Sequence, residues 1–154
     1  MAGLPNNPNT SYTYGYSGDL FFDGNGLTTS FSQSDTYVDI NVASWTLNSA
    51  SYFFQKYTDD QSLQFTNRGT IRTFIYSDIH LEGTSSNQDY YVGIFKNGSL
   101  ETEFEVLYKN TPLTVGHSTL VLLDKDDYIT LKIKNSTSTA GAIISHAELD
   151  IIVI

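Results

Sequence analysis

The sequence predicts an all-β fold, an antiparallel β-sandwich with no substantial helix. Three observations lead there. Apolar and polar residues alternate in short runs along the chain, no stretch holds a helical period, and Gly, Asn and Asp cluster between the runs. Residues 1–17 hold Pro5, Pro8 and several Asn, and read as an extended N-terminal arm; residues 18–154 read as one domain. The run 19–31 suggests a hairpin turning at Asp23-Gly24-Asn25-Gly26. Strands are expected over 36–47, 50–58 and 62–66, and a long one over 70–82 after a turn at Asn67-Arg68-Gly69. Further strands are expected over 117–123, 127–135 and 142–154.

Between them, "YYVGIFKNGSLETEFEV" (90–106) reads as a hairpin around Asn97-Gly98. A two-residue loop would set Ile94, Val92 and Tyr90 against Glu101, Glu103 and Glu105, mixing aliphatic groups with carboxylates. A three-residue loop, Lys96-Asn97-Gly98, with Gly98 left-handed, instead puts Tyr90, Val92, Ile94, Leu100, Thr102, Phe104 and Val106 on one face. The other face is then wet and acidic, which suits solubility and guards against stray sheet pairing.

Two strands carry large apolar groups on both faces. In 70–82, Ile71, Thr73, Ile75, Ile79 and Leu81 alternate with Arg72, Phe74, Tyr76, Asp78, His80 and Glu82. In 142–154, Ile143, Ala147, Leu149, Ile151 and Val153 alternate with Ile144, His146, Glu148, Asp150, Ile152 and Ile154. Apolar residues on the face away from the core mark a contact surface or a face covered by a loop or by the arm.

Composition limits the function classes. The chain has 154 residues, enough for one domain that buries roughly 68–70% of its unfolded surface. A net charge of −9 disfavours nucleic acid and anionic membrane surfaces as partners. With no cysteine there is no thiolate metal site and no Cys nucleophile. The opening "MAGLPNNPNT" lacks a basic segment followed by an apolar one, so no secretory signal is expected, and no apolar run approaches the ~18 residues that span a bilayer. The sequons at Asn9, Asn97 and Asn135 are read as chance matches in an Asn-, Ser- and Thr-rich chain.

From Ser62 onward, the order "LQFTNRGTIRTFIY", "YYVGIFKNG", "HSTLVLLDKDDYITL" and a closing "LDIIVI" resembles the trimeric jelly roll of tumour necrosis factors and complement-type heads. Asp126-Asp127 stands where that family usually has Gly-Asp. The stalks and anchors of animal members are not seen, and the pattern is similar to viral and bacteriophage structural proteins. The resemblance implies a homotrimer on a virion, as a capsid decoration or a fibre or spike tip, made in the host cytoplasm and attached through the arm to a capsid or other virion protein. It also implies that Phe74, Tyr76, His80, Ile144, His146, Ile152 and Ile154 lie between subunits.

No catalysis and no cofactor are expected. Gly-x-Ser-x-Gly, His-Glu-x-x-His and phosphate-loop motifs are missing. His80 and His146 would meet if their strands pair, near Asp78, Glu148 and Asp150. A metal or acid–base site is conceivable there, but a polar interface patch is the plainer reading. Asp23–Gly26 lacks most ligands of a calcium loop, and Asp124, Asp126 and Asp127 read as a solvated turn. The alternative function is a carbohydrate- or receptor-binding module contacting a host-surface glycan, with Trp45, Tyr91 and Phe95 as its candidate aromatics.

Overall fold

The computed structural model describes residues 17–24, 26–47, 53–58 and 61–154. Its strands are β1 (Ser17–Asp23), β2 (Thr28–Thr29), β3 (Val38–Asp39), β4 (Thr46–Leu47), β5 (Phe54–Lys56), β6 (Ser62–Phe65), β7 (Ile71–Gly83), β8 (Gln88–Lys96), β9 (Ser99–Tyr108), β10 (Leu113–Leu123), β11 (Tyr128–Asn135) and β12 (Ala142–Val153). They form two antiparallel sheets. One runs β10-β7-β12-β1-β4, with β2 beside β12; the other runs β5-β6-β11-β8-β9, with β3 beside β11. No helix of the described residues is long and apolar enough to cross a membrane.

The core lies between the sheets. Ile75, Ile79, Leu81, Ala147, Leu149 and Ile151 meet Tyr90, Val92, Ile94, Ile129, Leu131 and Ile133, all buried. Each strand points alternate side chains inward, so the apolar sets of β7, β8 and β11 interlock as the sequence implies.

The hairpin β8–β9 reaches its faces by another route than expected. Its loop has two residues: Lys96 pairs with Ser99, while Asn97 (φ 51°) and Gly98 (φ 80°) both take the left-handed conformation. This is the primed turn that an Asn-Gly pair favours, because both positions need positive φ. The register changes one step later. Phe95 faces Leu100 but Ile94 faces Thr102, which leaves Glu101 as an extra residue. That bulge puts Val92 opposite Phe104 and Tyr90 opposite Val106. Leu100, expected on the core face, lies opposite Phe95 on the outer face and is exposed.

The segment 19–31 is not a hairpin. β1 and β2 pair with the same side of β12, from Ser17↔Ile152 through Asp23↔His146 and on to Thr28↔Ile143. The glycines expected to form a turn instead interrupt one long strand. A Cβ at Gly26 would stand 2.0 Å from the Ile144 carbonyl oxygen, which no side chain permits. The strand expected over 36–47 is two short pieces: β3 joins β11 and β4 joins β1, so the chain crosses between sheets there.

Two turns are fixed by side chains. Asp126 adopts φ 72°, a left-handed conformation that glycine takes without a Cβ clash. Asp127 accepts hydrogen bonds from the Asp124 N–H at 2.8 Å and from Asn97 Nδ2 at 2.6 Å, and lies 2.8 Å from Lys96 Nζ. Burial works to raise the Asp127 pKa, but these donors outweigh it and hold the carboxyl below its usual range. Asn135 is fully buried. Its amide donates to Gln88 Oε1 and the Ala140 carbonyl, and its carbonyl accepts from the Thr137 and Ser138 N–H groups. The Asn135 sequon is therefore closed to modification in the folded chain.

Candidate functional site

The outward face of the sheet β10-β7-β12-β1 is organised in rows by strand register. Leu120, Phe74, Ile152 and Ser17 form one row, and Ser118, Tyr76, Asp150 and Asp19 the next. Gly116, Asp78, Glu148 and Phe21 follow, then Thr114, His80, His146 and Asp23. One end of the face is apolar: Leu120, Leu122, Ile152 and Ile154 are 62%, 56%, 39% and 64% exposed, beside half-buried Phe74. The middle is acidic, and the histidines close the far end.

Phe74, Tyr76, His80, His146, Ile152 and Ile154 thus share the face that the sequence assigned them. Ile144 does not. β12 carries a bulge between Ile144 and His146, so Ile144 pairs with Leu81 and is wholly buried, while Ile143 turns outward opposite Glu82. Strict alternation through Ser145 swaps these two isoleucines. Leu120 and Leu122 were missed because the strand expected over 117–123 was given no inward or outward face.

The acidic middle is tightly drawn. Asp78, His146 and Glu148 each place one ligand-capable atom within 4.8 Å of the others, and Asp19, Glu148 and Asp150 do the same. His146 Nε2 lies 2.9 Å from Asp78 Oδ1, and its Nδ1 lies 3.9 Å from Asp23. His80 Nδ1 shares a 2.8 Å hydrogen bond with Thr114 Oγ1. Burial, the charges of Glu148 and Asp19, a hydrogen bond with Asp19 and the charge of Asp78 push the Asp150 carboxyl up to about 7. Glu148 is also raised, by burial and by Asp19 and Asp78, with partial relief from His146. Burial and Asp78 raise the Tyr76 phenol. These groups could hold a divalent cation through oxygen and imidazole donors. A nucleophile held against a general base, the arrangement hydrolytic chemistry needs, is not among the described residues of this face.

The candidate aromatics do not converge. Trp45 is 5% exposed and belongs to the core, so it cannot stack on a ligand. Phe95 is also buried, its ring met edge-on by Tyr37 at 4.9 Å. Tyr91 stays half-exposed, donating to Glu105 at 2.7 Å beneath Lys134 Nζ, 5.0 Å from its ring. Tyr37 donates to Glu103 at 2.5 Å, and Lys134 bridges Asp35 and Glu103. The carboxylates of β9 are thus partly committed to neighbours. His117 faces inward at the sheet edges, stacked on Phe104 and hydrogen-bonded to Thr102. A depression of about 220 Å³, lined by Phe53, Phe65, Asn67, Ile71 and Val153, opens at one end of the sandwich. It is apolar and smaller than the roughly 300–1,000 Å³ of small-molecule sites.

The architecture is the jelly roll of tumour-necrosis-factor-like proteins, with one sheet face left uncovered among the described residues. No protein-family model and no curated protein matches the chain. Solved structures do. Murine APRIL at pH 5.0 aligns at TM-score 0.63 with 12% identity, over 90% of this chain and 99% of that one. The PRD1 vertex protein P5 aligns at 0.60 with 13% identity, over 92% and 98%. The Eiger TNF from S. frugiperda aligns at 0.51 with 11% identity, over 90% and 93%. At these identities the likeness establishes the fold.

Proposed function

We propose that the chain is a non-enzymatic structural protein of a virion, a homotrimeric capsid decoration or fibre or spike tip held by its arm, residues 1–17. The observation that carries this reading is the uncovered apolar end of one sheet: Leu120, Leu122, Phe74, Ile152 and Ile154 on three adjacent strand segments. A contiguous apolar patch in an acidic chain calls for a partner, and a threefold ring of identical faces buries it without leaving a free edge. The likeness to a vertex protein and the arm composition support the virion role. The glycan-binding alternative has less support, since two of its three aromatics are buried.

The test is to add purified chain to particles that lack it and image the product. Regular density at capsid vertices or fibre ends supports the proposal. A truncation starting at Ser11 should keep its thermal midpoint and lose attachment. Full-length protein that never binds particles would contradict the virion role.

A further inference from the structure

The tip of the β8–β9 hairpin joins a reactive sequence to a fixed geometry. Asparagine followed by glycine deamidates readily, because glycine has no side chain to shield its backbone nitrogen. In that reaction the Gly98 nitrogen loses its proton and attacks Asn97 Cγ. The new C–N bond closes a five-membered imide as the Cγ–Nδ2 bond breaks and ammonia leaves. Water then opens the imide at either carbonyl and yields aspartate or isoaspartate. Solvent reaches the pair, since Asn97 and Gly98 are both exposed.

Attack needs the Asn97 amide carbon to swing over the Gly98 nitrogen, and the structure commits that amide elsewhere. Asn97 Nδ2 donates to Asp127 Oδ1 at 2.6 Å, and Asn97 Oδ1 accepts from the Tyr128 N–H at 3.0 Å. The Asn97 N–H donates to the Tyr128 carbonyl at 3.0 Å. Asp127 is itself fixed by Lys96 Nζ at 2.8 Å and by the Asp124 N–H at 2.8 Å. Both ends of the amide are therefore held against the start of β11, and the two-residue turn fixes the backbone between them.

We propose that Asn97 is a latent deamidation site, held unreactive in the folded chain by its clamp to Asp127 and Tyr128. This goes beyond the virion role and holds for a single chain or a trimer. Reaction requires the tip to open, so its rate follows the population of the opened tip. The products do not fit back. Aspartate at 97 replaces the Nδ2 donor with a second carboxylate facing Asp127, and like charges at that distance repel. Isoaspartate lengthens the main chain by one atom, which the two-residue turn has no room to absorb. Deamidation is thus a one-way release of the hairpin tip from β11.

The experiment incubates the full chain at mildly alkaline pH, native and in urea, and follows Asn97 by peptide mapping that separates aspartate from isoaspartate. Asn25-Gly26, the same dipeptide in the same chain, calibrates the rate in urea. There the two asparagines should react at similar rates. In the native chain Asn97 should react at least about tenfold more slowly than in urea. Asp127→Ala, shown to be folded by circular dichroism, should bring the native rate at Asn97 towards the unfolded one; Asp127→Asn, which weakens the same bond, should give a smaller rise. Asn97→Asp, the product itself, should lower the thermal midpoint. Equal rates at Asn97 in native and unfolded wild type overturn the proposal. So do folded Asp127 variants in which Asn97 stays as slow as in wild type.

Discussion

At the scale of single residues, two polar side chains do structural work that their neighbours in sequence do not reveal. Asn135 has no exposed surface, and its amide organises the turn that delivers the chain to β12. Asn135→Ala would leave the Thr137 and Ser138 N–H groups without their acceptor and take one donor each from Gln88 Oε1 and the Ala140 carbonyl. Chemical denaturation should show a loss of roughly 2–4 kcal/mol, because buried partners left unsatisfied keep their full desolvation penalty. Asp127 joins the turn before β11 to the tip of the β8–β9 hairpin. Asp127→Asn should cost about 1.5–3 kcal/mol at neutral pH, the usual value of hydrogen bonds to a charged group. Since the folded carboxyl has a lowered pKa, that contribution is present above the ordinary carboxylate value and fades as pH falls through the folded one. Wild-type and variant stabilities should therefore converge in acid; a constant gap would mean that the charge is not what stabilises the turn. The sequence showed Asp126-Asp127 as a departure from a familiar turn, but not that Asp126 would take the glycine conformation.

At the scale of elements, the two bulges decide what faces where. Ser145 shifts β12 by one residue and Glu101 shifts β9; the first exchanges the faces of Ile143 and Ile144, the second moves Leu100 outward. Ile144→Ala should cost about 2–4 kcal/mol as a core truncation, and Ile143→Ala about 1 kcal/mol or less. The reverse order in a denaturation series would mean an unbroken register. The long strands β7, β8, β11 and β12 were legible because each has one face buried along its length, so the pattern repeats with period two. The bulges were not, because an extra residue between two apolar ones leaves local composition unchanged. The stretch from Thr28 to Lys56 was read least well. Its described strands are two or three residues long, too short for a period of their own, and β2 and β3 are held by partners far away in the chain, β12 and β11. The outer face was largely legible: Phe74, Tyr76, His80 and His146 stand where alternation put them, and Trp45 misled because a lone tryptophan looks the same in a core as at a site.

At the scale of the whole molecule, the unequal treatment of the two sheet faces is the main clue. The outer face of β8, β9, β3 and β11 is stitched by ion pairs and aromatic contacts within the chain, among them Lys132–Asp39 at 2.8 Å and Lys134–Glu103 at 3.4 Å. The face of β10, β7, β12 and β1 leaves its leucines and isoleucines bare. Tyr76→Glu, at the boundary between the apolar and acidic rows, should prevent assembly while each chain stays folded, which circular dichroism can confirm. Glu101→Lys, on the outer hairpin, should leave assembly unchanged; Glu103 is a poorer control because it bonds Tyr37 and Lys134. The most direct measurement is the mass of the purified chain by light scattering coupled to size exclusion, at micromolar concentration and pH 6. The expected mass is three chains; a mass of one chain would contradict the proposed interface.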